Sequence, residues 1–377
     1  MWGVCITFET SMLPMKFLRI IAYPVSQLYG IVVYLRNKFY DLGIFPVKEF
    51  KLPVIAIGNL VTGGTGKTPH TEYLIRLLQE KYSVATLSRG YRRTTPGFLI
   101  ATGASTSLDI GDEPKQFKKK FPEITVAVDT KRVRGIKKLM ESFSLLNVIL
   151  LDDAFQHRSV SPGLSILLSD FNNLFYTDHL LPSGNLREFK SGFKRADIIV
   201  ITKTPELLSP LERRRILKEL NAQPYQHVYF SYIRYGDFIP LLQEKTQTVF
   251  TKDFYFERDY TILLMTGIAN ASSIEHYLTT KVKKVITVKF SDHHEYTMAE
   301  LLRVKSMFEE IPGKNKIILT TEKDAMRFES PGITEIVNDL PVFYIPIEVE
   351  FHNKDKEDFN KQILDYVRGN PVKQISF

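Results

Sequence analysis

Three groups of residues in this chain are suited to chemistry. They are a lysine and threonine directly after a glycine-rich turn, two adjacent aspartates ending an apolar run, and a single aspartate framed by glycine and proline. The first group lies in PVIAIGNLVTGGTGKTPHT, residues 53–71. Pro53 to Ile57 reads as a buried parallel strand, Gly63-Gly64-Thr65-Gly66 as a turn, and Lys67-Thr68 as the start of a helix. That order builds a phosphate cradle. Glycines let backbone N–H groups turn inward, and the helix start adds partial positive charge. Lys67 can reach β/γ-phosphates and Thr68 can ligate Mg²⁺. The strict G-x-x-x-x-G-K-[ST] pattern wants a glycine where this chain has Val61, and Gly63 and Gly64 can supply the flexibility instead. The alternative is a glycine-rich strand–helix turn without a ligand.

Asp152-Asp153 close the apolar run NVILL, where a phosphate-loop enzyme places a Mg²⁺ ligand. Gln156 and His157 share that loop, at the edge of a parallel sheet where ligands bind. In GDEP, Gly111 and Pro114 hold a turn that aims Asp112. A phosphoryl transferase needs such an acid as base for its acceptor hydroxyl. Spacing alone favours an ordinary N-cap there, since EPKQFKKKF is helix-like. Asp292-His293-His294 follow the run KKVITVKF. Adjacent histidines rarely share one ion, so a histidine supporting a carboxylate across an interdomain cleft is the better use. Arg89 in SRGYRR and Arg187 in LPSGNLREF can fork onto phosphate, or stand as solvated surface arginines.

These side chains need a scaffold, and the apolar runs supply one. Residues 83–88, 124–129, 147–152, 164–170 and 197–203 read as buried strands separated by helical stretches. The alternation predicts a P-loop-type doubly wound α/β sheet. From about residue 226 the texture becomes aromatic, and a second apolar set (261–269, 283–290, 316–321) predicts a second, smaller α/β domain. HVYFSYIRY (227–235) and VFYIPIEVEF (342–351) are expected to pair as a two-stranded ribbon linker. The expected segments are a loose extension at 1–14, a membrane-associating helix at 15–40 and a P-loop domain at 41–225. Linker segments follow at 226–250 and 340–352, with a second domain at 251–339 and a C-terminal helix and tail at 353–377.

With 377 residues, 44% of them hydrophobic, the chain can bury a sizeable core; one cysteine, Cys5, excludes an internal disulfide framework. A net charge of +8 favours anionic partners: nucleotides, nucleic acid or an acidic membrane face. The clusters Lys118-Lys119-Lys120 and Lys131-Arg132-Val133-Arg134 carry no RNA-binding signature, so no nucleic-acid partner is expected. FLRIIAYPVSQLYGIVVYL (17–35) is aromatic and apolar, but Arg19, Pro24, Ser26, Gln27 and Gly30 interrupt it. It fits an interfacial helix better than a spanning one; the alternative is a helix packed on the protein's own core.

Together, IGNLVTGGTGKTP, SRGYRR, GDEP, LDDAFQHR, LLPSGNLRE, SDHHEY and TTEKDAMRF, in this order over about residues 54–328, resemble the tetraacyldisaccharide 4'-kinase family. The resemblance implies transfer of the γ-phosphate of ATP to the 4'-hydroxyl of a tetraacyl glucosamine disaccharide 1-phosphate. This is a late step of lipid A synthesis, giving lipid IVA at the cytoplasmic face of the Gram-negative inner membrane. ATP and Mg²⁺ are the implied cofactors, a lipid disaccharide and that membrane leaflet the partners, and a monomer the expected state. Carried over by position, Thr62, Gly63, Gly64, Thr65, Gly66, Lys67 and Thr68 bind nucleotide. Asp112 is the base, in place of the capping role, with His293 as its partner, and Lys67 and Asp153 are catalytic. Arg89, Tyr91, Arg132, Gln156, His157 and Arg187 line the disaccharide site, while Thr68, Asp152 and Glu188 contact Mg²⁺. Ala154 and Ala269 stand where the family has glycine, and Val61-Thr62 inverts its commoner order.

Two other readings compete. A partitioning-type ATPase switch also joins a phosphate loop to membrane binding, but its K-G-G-x-G-K-T loop needs a lysine where this chain has Thr62. A soluble small-metabolite kinase leaves the N-terminal helix unexplained.

Overall fold

The computed structural model describes residues 5–6, 15–241, 250–268, 270–328 and 332–370. The rest of the expected N-terminal extension, Ala269 and the tail from residue 371 lie outside the described residues. The chain divides into two compact units, Met12–Ile233 with Val349–Phe377, and Met1–Ser11 with Arg234–Glu348.

The larger unit is built on a nine-stranded sheet. Its strands are β1 (Val54–Asn59), β2 (Val84–Ser88), β3 (Leu99–Ile100), β4 (Thr125–Val128), β5 (Val148–Leu151), β6 (Leu164–Asp170), β7 (Ile198–Thr202), β8 (His227–Tyr235) and β9 (Ile347–Phe351). The spatial order is β9-β8-β7-β6-β1-β5-β2-β4-β3. Pairing is parallel from β8 through β4, and β3 runs antiparallel to β4. The apolar runs are continuous because both faces of the sheet are covered. Ile55 and Ile57 pack on one face against Leu74, Ile75 and Leu78 of the helix Lys67–Gln79 and against Phe359, Ile363 and Val367 of Lys354–Gly369. Val54 and Ala56 pack on the other face with Ile136 and Leu139. β1 sits between β5 and β6, so the chain winds away from it in both directions. The carboxyl ends at that reversal are where such sheets bind ligands.

The smaller unit carries a six-stranded sheet in the order Cys5–Ile6, Lys284–Lys289, Thr261–Thr266, Lys316–Thr321, Val342–Ile345, Ile239–Pro240. Only the last of these is antiparallel to its neighbour. The apolar stretch 342–351 breaks at Pro346: Val342–Ile345 joins this sheet, and Ile347–Phe351 joins the larger one beside β8. The aromatic strand 227–235 is thus a member of the large sheet, paired in parallel with β7 at Ile198↔His227.

The N-terminal helix, α1, spans Met15–Asp41 with Pro24 inside it. No helix among the described residues is long and apolar enough to cross a membrane. Its second half is docked on the larger unit. The Ser183 N–H donates to Ser26 Oγ (2.9 Å), Tyr29 OH donates to the Arg187 carbonyl (2.7 Å), and Arg158 reaches the Asn37 carbonyl and Asp41 (both 2.7 Å).

Candidate functional site

The phosphate loop joins β1 to α2 (Lys67–Gln79), and a left-handed Gly66 (φ 86°) turns the chain into the helix. A side chain at that angle would be strained, which is why glycine immediately precedes Lys67. Asn59, the last residue of β1, braces the loop by donating to Thr65 Oγ1 at 2.9 Å. The Thr62 N–H is committed to the Asn185 carbonyl (2.8 Å), so the backbone of Thr62 is held by the 178–191 segment.

Lys67 emerges at the helix start with its ammonium 3.6 Å from Asp153. Arg187 contacts both oxygens of Asp153 at 3.2 and 3.3 Å and reaches Gln156 Oε1 at 3.4 Å. Burial alone would raise Asp153, but Lys67 and Arg187 outweigh it and hold the carboxyl below its ordinary range. Its neighbour behaves oppositely. Asp152 is pushed up to about 6 by burial, then by the charges of Asp153 and Glu113, with Lys67 and Arg132 only partly compensating. One acid is thus a fixed anion and the other is on the edge of protonation, the separation expected of acids with different duties. Asp153 has φ 47°, whereas Ala154 is not left-handed, so alanine is accommodated where the resemblance expects glycine.

Arg132 is almost fully buried, with one guanidinium nitrogen donating to the Asp129 carbonyl and another to the Asp152 carbonyl at 3.2 Å. It positions the strand-end acids from below. His157 is driven down to about 4 by burial and by the charge of Arg132, so it is neutral near pH 7. Arg89 and Tyr91 are exposed on the loop after β2. Arg89 is close enough for its charge to bear on Arg132 and His157.

Gly111 (φ 93°) draws the GDEP loop against this segment: a Cβ there would stand 3.0 Å from the Tyr91 carbonyl. Asp112 is the first residue of the helix Asp112–Lys120, and the N-cap position belongs to Gly111 with no side-chain cap. The capping alternative for Asp112 is therefore not how this helix begins. Glu113, the next residue, is near enough to raise Asp152.

Glu188, expected as a Mg²⁺ contact, is buried and already engaged. It accepts from Asn37 (3.0 Å), Gln156 (3.3 Å) and Arg195 (2.8 and 2.9 Å). It ties α1 to the site. Thr68 and Asp152 are the hard oxygen donors beside the loop, the donor type Mg²⁺ takes together with phosphate and water. No group of three or more His, Cys, Asp or Glu that could hold a metal ion occurs among the described residues.

The chain matches the family model described as "Tetraacyldisaccharide-1-P 4'-kinase" over residues 18–368. It belongs to that family. A tetraacyldisaccharide 4'-kinase of Bacteroides thetaiotaomicron is 45% identical over 354 residues, covering 92% of this chain and 93% of the relative. One from Phocaeicola vulgatus is 44% identical over 350 residues, covering 92% and 95%. A crystal structure of LpxK from Aquifex aeolicus in complex with ATP superposes with a TM-score of 0.69 at 27% identity, covering 93% of this chain and 99% of that one.

Within this family member, His293 belongs to the smaller unit. It is left-handed (φ 56°), and its backbone N–H donates to the Gly267 carbonyl at 3.1 Å. The Lys323 ammonium lies 3.0 Å from His293 Nε2. An ammonium can only donate, so Nε2 is the acceptor and a neutral ring carries its proton on Nδ1. Lys323 comes from TTEKDAMRF, whose Asp324 is buried and held by Arg327 (2.8 Å) and the Gly267 N–H (3.0 Å).

Several contributors were not singled out by residue type. Tyr29, Arg36, Asn37 and Arg195 enter the site from α1 and from the segment after Glu188; Arg36 donates to the Gln156 carbonyl at 3.0 Å. Beside α1, a cavity of about 610 Å³ is lined by Tyr23, Gln27, Ile31, Tyr34, Leu180 and Phe189, with Lys190 at its edge.

Proposed function

We propose that this chain transfers the γ-phosphoryl group of ATP to the 4'-hydroxyl of a tetraacyldisaccharide 1-phosphate, giving lipid IVA for lipid A synthesis. The observation that carries the reading is the convergence of Lys67, Asp153 and Arg187 beside a strand–loop–helix phosphate cradle. In this reading Lys67 and the loop N–H groups hold the transferring phosphates. Arg187, released in part from Asp153, neutralises charge on the acceptor side. Asp112 takes the proton as the 4'-oxygen bonds to phosphorus and the bond from phosphorus to the β–γ bridging oxygen breaks. Asp153 keeps Lys67 oriented. Thr68 and Asp152 are the residues that would hold Mg²⁺, which supplies charge neutralisation when bound. His293 is assigned as partner of the base by family resemblance, and its Nδ1 proton is the one suited to donate to a carboxylate.

Membrane association at the inner leaflet rests on α1. Ile21, Val25, Leu28, Val32, Leu35 and Phe39 are all exposed. They repeat every three or four residues, so they form one stripe on one side of the helix. An apolar stripe flanked by Arg19, Arg36 and Lys38 fits an interfacial helix. The apolar cavity beside α1 suits an acyl chain.

The test is a γ-³²P-ATP assay with a tetraacyldisaccharide 1-phosphate acceptor. Label in the lipid supports the reading. ATP hydrolysis without lipid label points to a membrane ATPase switch, and label only in a soluble sugar acceptor points to a small-metabolite kinase. Either outcome overturns it.

A further inference from the structure

Three consecutive carbonyls of the phosphate loop are each met from behind by a side chain that lies outside the loop. The Lys203 ammonium donates to the Gly64 carbonyl and is itself anchored by Asp170 at 2.8 Å. Thr202 Oγ1 donates to the Thr65 carbonyl at 2.9 Å, with the Ser169 carbonyl a longer alternative at 3.3 Å. His70 Nδ1 lies 2.7 Å from the Gly66 carbonyl, and its Nε2 lies 3.0 Å from Ser231 Oγ. A carbonyl can only accept, so Nδ1 carries the proton and Nε2 accepts from the serine hydroxyl. His70 and Thr202 are buried. Burial drives the His70 ring down to about 4, so this tautomer persists across the physiological range.

In a trans peptide the carbonyl of one residue and the N–H of the next point in opposite directions. Lys203 and Thr202 hold the Gly64 and Thr65 carbonyls toward the end of β7, and His70 holds the Gly66 carbonyl toward α2 through its ring and its backbone N–H (3.2 Å), so the N–H groups that follow are aimed the other way. The Thr65 N–H closes the loop on the Gly63 carbonyl (3.1 Å). The N–H groups of Gly66 and Lys67 are left facing the cradle side. A loop of this composition, TGGTG, has unusually many conformations to lose on binding an anion. Donors that fix its carbonyls beforehand reduce that loss, which is the general route by which preorganisation raises affinity.

We infer that His70, Thr202 and Lys203 are positioning residues that preorganise the phosphate loop through its carbonyls. The inference rests on the proposed ATP-binding reading and adds residues to it. Thr202 and Lys203 close β7 and His70 stands one turn into α2, so the clamp is built on rigid elements, with the left-handed backbone of Lys203 (φ 57°) turning its side chain out at the sheet edge. None of the three touches the reacting atoms.

The experiment measures MgATP and ADP affinity by titration calorimetry, and steady-state kinetics, on the full chain and on Thr202→Val, His70→Asn and Lys203→Met. Losing one neutral donor should weaken nucleotide binding about three- to tenfold. The KM for ATP should rise in parallel, with kcat at saturating ATP and the KM for the lipid acceptor within about twofold of the native chain. Thr202→Ser, which restores the hydroxyl, should recover native affinity. Native-like affinity in Thr202→Val and Lys203→Met would overturn the clamp. So would a fall in kcat at unchanged affinity, the signature of a merely structural role. If Thr202→Val does not fold, Lys203→Met decides alone, since that side chain lies at the surface edge. Failure of the native chain to bind MgATP would overturn the kinase reading and the clamp together, whereas binding without sensitivity to these variants removes the clamp alone.

Discussion

Asp152→Asn should make the protein more stable and inactive at the same time. The Asp152 carboxyl is buried, and it stands next to Asp153 and near Glu113; together these push it up to about 6 from 3.8. A carboxyl whose pKa is higher folded than unfolded binds protons more tightly in the native state. Stability then falls as pH rises from about 4 to 6, and the full penalty is present above pH 6. Raising the carboxyl from 3.8 to about 6 corresponds to roughly 3 kcal/mol at pH 8, of which about half is already relieved at pH 5. Asparagine keeps the shape and can still accept the Thr71 hydroxyl, which lies 3.3 Å from Asp152 Oδ1. It removes the buried charge.

Denaturation of native and Asp152→Asn protein, free of nucleotide and divalent cation, should show the variant more stable at pH 8 by up to ~3 kcal/mol, or roughly 6–10 °C in a unit of this size. The gap should shrink by about half at pH 5. Added Mg²⁺ with ATP should stabilise the native chain and not the variant, because the carboxylate that repels its neighbours is the one proposed to meet the cation. Turnover by the variant should be abolished at every pH. An equal stability gain at pH 5 and pH 8 would refute the argument, since it would mean that the gain does not come from charge. No gain at pH 8 would show that Lys67 and Arg132 compensate the charge fully.

Asp112→Ala should lower kcat by about 10²- to 10⁴-fold while MgATP still binds, as expected for loss of a general base; near-normal turnover would remove the base assignment. Leu28→Asp with Leu35→Asp replaces two exposed members of the α1 stripe and should cut recovery on anionic vesicles more than tenfold, since each buried leucine contributes about 1.5–3 kcal/mol. Unchanged partitioning would show that the stripe does not enter the leaflet. Lys323→Met should release the His293 tautomer, seen as a change in its ring ¹⁵N shifts, and should reduce kcat without altering the KM for ATP. Unchanged shifts would mean that the 3.0 Å contact with Lys323 does not fix the ring.

What was legible in the sequence was whatever is local. The strand runs, the glycine turn and the acids ending NVILL depend on neighbours within a few residues, and β1, β5, β6 and β7 fall within one or two residues of their expected limits. Two features were misjudged for physical reasons. The stretch 342–351 is expected to pair whole with 227–235, and only Ile347–Phe351 lies beside that strand; proline has no N–H to keep a ladder going, and Val342–Ile345 belongs to the other sheet. Arg132 reads as a surface or substrate-facing arginine inside a basic cluster, but it is buried beneath the acids it steadies.

The rest of the site is assembled from contacts more than a hundred residues apart, which no local pattern carries. Tyr29 meets the Arg187 carbonyl, Asn37 meets Glu188, Arg36 meets the Gln156 carbonyl, and Thr202 meets the Thr65 carbonyl. The first three have one consequence in common. Tyr29, Arg36 and Asn37 dock α1 onto the strand-end loops, and Ser26, which looks like a defect in an apolar membrane helix, accepts from the Ser183 N–H as part of the same docking. The same helix turns its apolar stripe outward, so the docking side chains and the stripe are two faces of one element, one bonded to the candidate site and the other available to a lipid surface. An acceptor held at that surface would therefore meet Arg187 and Glu188 through a helix already fixed to both.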